Sequence, residues 1–112
     1  MAVMLALDDA TPPRIECAVD AAYAGANVNL RGRIVSPTDA SGRYRLEIRQ
    51  VGKGGSSNIS QAGEFRVSAR ESGYFGSANL NAGGGIRLIA RFTVEPSGDA
   101  KTCVVEREIS DE

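Results

Sequence analysis

Cys17 and Cys103 are the two thiols of this 112-residue chain, and it contains no histidine. The missing imidazole removes the commonest general base, the usual partner of a nucleophilic serine and the commonest transition-metal ligand. Two isolated thiols supply too few soft ligands for a structural zinc site, so no metal or cofactor is expected. Glu106 and Glu108 are the nearest carboxylate pair, but alternate residues of one strand that both face water form a solvated face rather than an acid/base couple. The run Gly52-Lys53-Gly54-Gly55-Ser56 shares the composition of a phosphate loop without its order. A working loop places Gly-Lys-Ser/Thr at the start of a helix, whereas here glycine follows the lysine and a strand comes next. Asn58-Ile59-Ser60 matches the N-glycosylation pattern, a three-residue match that arises readily by chance. The chain is not expected to be an enzyme.

The elements that carry these residues read as strands. Thirteen glycines, four prolines and apolar runs that seldom exceed three residues beyond the N-terminus argue for short strands joined by turns. Residues 14–20 (RIECAVD) set Ile15, Cys17 and Val19 on one face, and residues 27–35 (NVNLRGRIV) set Val28, Leu30, Gly32 and Ile34 against Asn29, Arg31 and Arg33. Residues 43–51 (RYRLEIRQV) alternate Tyr44, Leu46 and Ile48 with Arg43, Arg45, Glu47 and Arg49. Residues 85–95 (GIRLIARFTVE) place Ile86, Leu88, Ala90, Phe92 and Val94 inward and Arg87 and Arg91 outward. Residues 64–69 and 75–80 are shorter candidates, and residues 101–109 close the chain. Turn signals such as Ala24-Gly25, Ser41-Gly42, Ser72-Gly73 and Pro96-Ser97-Gly98 separate them. Seven such strands predict an all-β fold, an immunoglobulin-like antiparallel β-sandwich. The tryptophan of antibody domains is absent, so the likeness is architectural.

Residues 14–109 are expected to form a single domain, one that buries roughly two-thirds of its unfolded surface. Residues 1–13 read as a flexible N-terminal tail or signal remnant, and residues 110–112 as a C-terminal tail. The opening MAVMLAL is apolar, but it lacks the basic region of a secretory signal. No stretch approaches the roughly 20 apolar residues that span a bilayer, so no membrane partner is expected. Cys17 and Cys103 are each in phase with apolar residues of a terminal strand, so both should point into the core. A disulfide between them would stabilise by roughly 4–5 kcal/mol in the chain-entropy model and requires an oxidising compartment. Two buried free thiols are the alternative.

The formal charge of −1 hides an asymmetry: from Arg31 to Arg91 ten basic residues stand against four acids, a surplus of six. Nucleic acid is not the expected partner. Single-strand recognition wants aromatic platforms among the basic groups, and here Tyr44, Phe65 and Phe92 are in core phase. An isoelectric point near 5.5 also differs from that of a nucleic-acid-binding domain.

Residues 54–65 (GGSSNISQAGEF) are composed like a loop, yet Ile59, Phe65 and Val67 recur at odd positions, as along a strand with one buried face. This run, with Arg14-Ile15-Glu16-Cys17, Gly42-Arg43-Tyr44-Arg45 and the late Cys103 before Glu106-Arg107, resembles the CsgH family, periplasmic curli-assembly proteins of alphaproteobacteria. The resemblance covers residues 14–109. It implies a small immunoglobulin-like sandwich, related in role to CsgC, that keeps the major curlin subunit from polymerising into amyloid before secretion. It therefore implies a periplasmic, monomeric, chaperone-like protein with a curlin subunit as its partner and no catalytic site. A secreted structural or adhesion module of sandwich type is the other class, because fold alone does not choose between them.

Two groups of residues are candidates for holding such a client. Curlin repeats carry an Asn-Ile-x-Gln-x-Gly pattern, which Asn58, Ile59, Gln61 and Gly63 reproduce around Ser60. A polar strand that looks like its client can pair with it, although the same composition also suits a protected sheet edge. Arg43, Arg45, Arg49, Arg87 and Arg91 are the second group, expected on one outer surface because their strands neighbour each other in this topology. Such a patch speeds encounter with an acidic, unfolded client or is only a solvated face.

Overall fold

Alternation of apolar and polar residues drives each segment to bury one face of an extended chain. The computed structural model of the protein describes residues 14–98 and 100–110 and contains seven strands. They are β1 (Glu16–Ala24), β2 (Asn27–Val35), β3 (Ala40–Gly52), β4 (Gly55–Val67), β5 (Ser72–Asn81), β6 (Arg87–Pro96) and β7 (Cys103–Ser110). Two antiparallel sheets face each other, one ordered β1-β2-β5 and the other β4-β3-β6-β7. The all-β sandwich expected from the sequence is what forms.

The core lies between the sheets. Leu30 and Ile34 from β2, Leu46 and Ile48 from β3, and Leu88, Phe92 and Val94 from β6 are fully buried. The Phe92 ring lies so close to Gly32 that a Cβ there would sit 2.4 Å from its edge, so only glycine lets β2 pass. β5 carries a bulge where the register shifts between Arg31 and Gly32, and Gly76 takes it up at φ +82°, a left-handed conformation that glycine adopts without strain.

β4 is longer than the plain strand candidate at residues 64–69, and it takes in the loop-like run whose Ile59 and Phe65 carried strand phase. It starts at Gly55 and runs through the loop-like GSSNISQ in unbroken register with β3, from Gly52↔Gly55 to Ala40↔Val67. The two residues Lys53 and Gly54 form the turn, and a turn that tight holds the returning chain against its partner. Pairing thus overrides the weak strand preference of glycine, serine and asparagine. The hairpin also sets the topology. In a constant-type immunoglobulin domain the fourth strand pairs with the fifth, whereas here β4 stays beside β3 and becomes an outer strand of the larger sheet.

The two flanks of the sandwich close differently. On one, the Cys17–Cys103 disulfide joins β1 to β7 across a Cα separation of 6.3 Å, and Arg107 Nη1 donates to the Val19 carbonyl at 2.8 Å. On the other, β4 lies over β5, where Phe65, Phe75 and Tyr44 pack with ring centroids 5.8–5.9 Å apart. There the Gln61 side chain bonds the Ser77 backbone.

Candidate functional site

β3 runs between β4 and β6, so its outward side chains form the centre of one face. Arg43, Arg45, Glu47 and Arg49 are all exposed on it. Arg43 stands opposite Glu64 and Glu95, Arg45 opposite Ala62 and Thr93, Glu47 opposite Ser60 and Arg91, and Arg49 opposite Asn58 and Ile89. Arg91 in turn faces Glu106 on β7, and Arg87 Nε pairs with Glu108 at 3.0 Å. The five arginines therefore share the outer face of the four-stranded sheet, interleaved with glutamates rather than massed. Among the described residues Arg43, Arg45, Arg49 and Arg91 form no ion pair. Arg45, Glu47, Ala62, Arg91 and Thr93 line a groove of about 690 Å³ on this face.

The hydrogen-bonding direction of β4 follows from its neighbours. Pro96, opposite Gly42, has no N–H to offer, and the Ser97 N–H donates to the Ser41 carbonyl at 2.9 Å, so odd-numbered residues of β3 point their backbone toward β6. Its even-numbered residues, Gly42 to Gln50, then bond the odd-numbered residues of β4. The backbone groups of Asn58, Ser60, Ala62 and Glu64 point away from the sheet, at its open edge.

Within the curlin-like segment, Asn58 and Ser60 are exposed, while Ile59, Gln61 and Gly63 are half-buried and face inward. Ile59 packs against the core, Gly63 lies beside the Tyr44 ring, and the Gln61 amide is engaged by Ser77. The register places this segment and the arginines side by side, with Arg49 across from Asn58 and Arg45 across from Ala62. Arg87 and Arg91 lie one strand further in, on β6.

The opposite face, on the three-stranded sheet, is occupied by its own contacts. Arg33 Nε bonds Asp20 at 2.8 Å, and that hydrogen bond, aided by the guanidinium charge, holds the Asp20 carboxyl below its usual range. The Arg31 guanidinium stacks 4.0 Å from the Tyr74 ring centroid, and Asn29 donates to Asn79 and Ser77. No group of three or more His, Cys, Asp or Glu able to hold a metal occurs among the described residues. No helix long and apolar enough to cross a membrane occurs among the described residues.

Ser77 was not singled out from the sequence, and Arg107 only as part of the family resemblance. Arg107 and Gln61 each break an inward-facing apolar series, Cys103-Val105-Ile109 and Ile59-Phe65-Val67, and a polar residue in core phase is the signal that finds such side chains.

The sequence model of the CsgH family, described as CsgH protein, matches residues 16–106. The chain belongs to the CsgH family. Its structure is similar to the solution structure of R. palustris CsgH, with a TM-score of 0.68 and 30% identity over 86% of this chain and 91% of that one. It is also similar to the E. coli curli protein CsgC, with a TM-score of 0.70 over 85% of this chain and 97% of that one. At 15% identity that second likeness is one of fold. No curated protein sequence matches the chain. The CsgH-family resemblance and the Cys17–Cys103 bond expected from the sequence are both borne out. A disulfide in a CsgH-family sandwich fits an oxidising, extracytoplasmic compartment.

Proposed function

We propose that this CsgH-family protein is a periplasmic, monomeric chaperone-like protein that binds the major curlin subunit and delays its polymerisation into amyloid. Family membership and a fold shared with a curli protein support a curli-related role. The observation that carries the finer reading is the open edge of β4, where outward backbone groups at Asn58, Ser60 and Ala62 lie beside Arg45 and Arg49, which form no ion pair among the described residues. An extended client adds to such an edge as a further strand, with main-chain hydrogen bonds supplying affinity and alternate side chains setting register. A client strand held there is withheld from the stacking that builds a fibril. The arginines raise the rate of encounter with an acidic, unfolded chain more than they raise final affinity. Low hydrophobicity along β4 keeps the same edge from aggregating by itself.

The test is fibrillation of purified curlin subunit, followed by dye fluorescence, with the disulfide-bonded protein added below stoichiometry at low and at high salt. The expected result is a lengthened lag that shrinks as salt rises. A lag unchanged even at equimolar protein would contradict the proposal and leave a secreted structural or adhesion module as the role.

A further inference from the structure

Gln61 occupies a core-phase position on β4 with its amide spent on one backbone residue of the other sheet. Its Nε2 donates to the Ser77 carbonyl at 2.7 Å, and its Oε1 accepts from the Ser77 N–H at 2.8 Å. β5 is an outer strand of its sheet, paired on its other side with β2. The two Ser77 groups are thus the ones an incoming strand would use, and the side-chain amide takes the place of that strand. The Gly76 bulge directly precedes this point, where a bulge re-aims the backbone. The other outer strand of the same sheet, β1, is met in a similar way, with Arg107 reaching from β7 to the Val19 carbonyl. The smaller sheet therefore has both edges touched by polar side chains of the larger one, and β4 itself receives no such cover among the described residues.

We infer that Gln61 is a positioning residue that closes the β5 edge and so, on this flank of the sandwich, leaves strand addition to β4. The confinement of a curlin client rests on the function proposed above, whereas the closure is a property of the protein alone. Without the amide, β5 becomes a second acceptor edge, open to another copy of this chain. Gln61 is then a guard of the edge beside the client site, and its agreement with the curlin pattern reflects an amide that mimics a strand.

The experiment uses the disulfide-bonded protein with no client present. Gln61→Met keeps length and volume while removing both hydrogen bonds. Hydrogen exchange at the Ser77 amide is expected to quicken by about tenfold or more, with β2-paired amides of β5 unchanged. Sedimentation velocity over a concentration series should show self-association absent from the parent. Adding Ser77→Pro, which removes the freed donor, should return Gln61→Met to a monomer although it restores no bond. Gln61→Leu, a second apolar replacement that removes both bonds, should behave in the same way and covers the case of a methionine variant that does not fold. Unchanged Ser77 exchange in folded Gln61→Met or folded Gln61→Leu, or self-association that persists with Ser77→Pro, would each overturn the inference. Failure of the parent to delay curlin fibrillation would remove the client reading and leave these outcomes untouched.

Discussion

The β1/β7 flank is locked by a covalent bond, and the β4/β5 flank is held by one amide and a cluster of aromatic rings. Both flanks face the same problem, an outer strand with unpaired backbone groups. The covalent solution constrains the unfolded chain and fixes β1 and β7 to each other across 86 residues of sequence. The non-covalent solution lets the long β3/β4 hairpin depend on local packing, with its outward edge left uncovered by the described residues. The covalent lock thus lies on one side of the sandwich and the proposed client edge on the other.

Removing the disulfide is the largest perturbation that separates them. Cys17→Ala with Cys103→Ala should cost about 4 kcal/mol, or roughly 15–25 °C in Tm for a domain of this size. Thermal melting checks the magnitude, and hydrogen exchange should show β1 and β7 loosening before β4. Phe65→Ala strikes the other flank by emptying the space between Tyr44, Phe75 and the core. It should cost about 3 kcal/mol, with β4 and β5 loosening first. Equal loosening of both flanks in either variant would mean that the sandwich responds as a single unit and that the contrast has no energetic content.

The smallest expected effect lies on the solvent-facing side of β1. Asp20 has its folded pKa depressed by the hydrogen bond from Arg33. The stability it contributes is present above its unfolded value of about 3.9 and is lost as pH falls from there through the folded value. Tm measured from pH 5 down to pH 2.5 should decline less steeply in Asp20→Asn. The pair is part-exposed on the outer face of the smaller sheet, so solvent screening keeps the difference small. An identical slope in parent and variant would remove Asp20 from the acid response.

Much of this was legible because alternation is a strong signal where one face is buried. Residues 43–51 and 85–95 announced β3 and β6, and the phase of Cys17 and Cys103 announced the bond. β1 was read too short because Ala21 to Ala24 carry no alternation to mark them. In β4 only residues 64–69 stood out as a plain strand, and the run before them showed strand phase against a loop-like composition, because that half is held by its partner strand rather than by its own preferences. The arginines could be assigned to a face from their phase, but their interleaving with Glu64, Glu95 and Glu106 depends on register across three other strands. The engagement of Gln61 by Ser77 depends on which sheet β4 joins, and that was settled by the hairpin turn.

The central claim is that a client pairs with the outward backbone of β4, and proline at one position tests it most directly. Ser60 points its N–H away from β3, so Ser60→Pro deletes a donor offered to the client without removing a bond of the sheet. Gln61→Pro is unsuitable, because the Gln61 N–H faces Leu46 and its side chain holds Ser77. The measurement is the lag time of curlin fibrillation with Ser60→Pro protein shown by circular dichroism and melting to be folded like the parent. The account predicts a lag close to that of curlin alone. A lag as long as the parent gives would contradict strand pairing at β4 and shift the binding site to the arginine face.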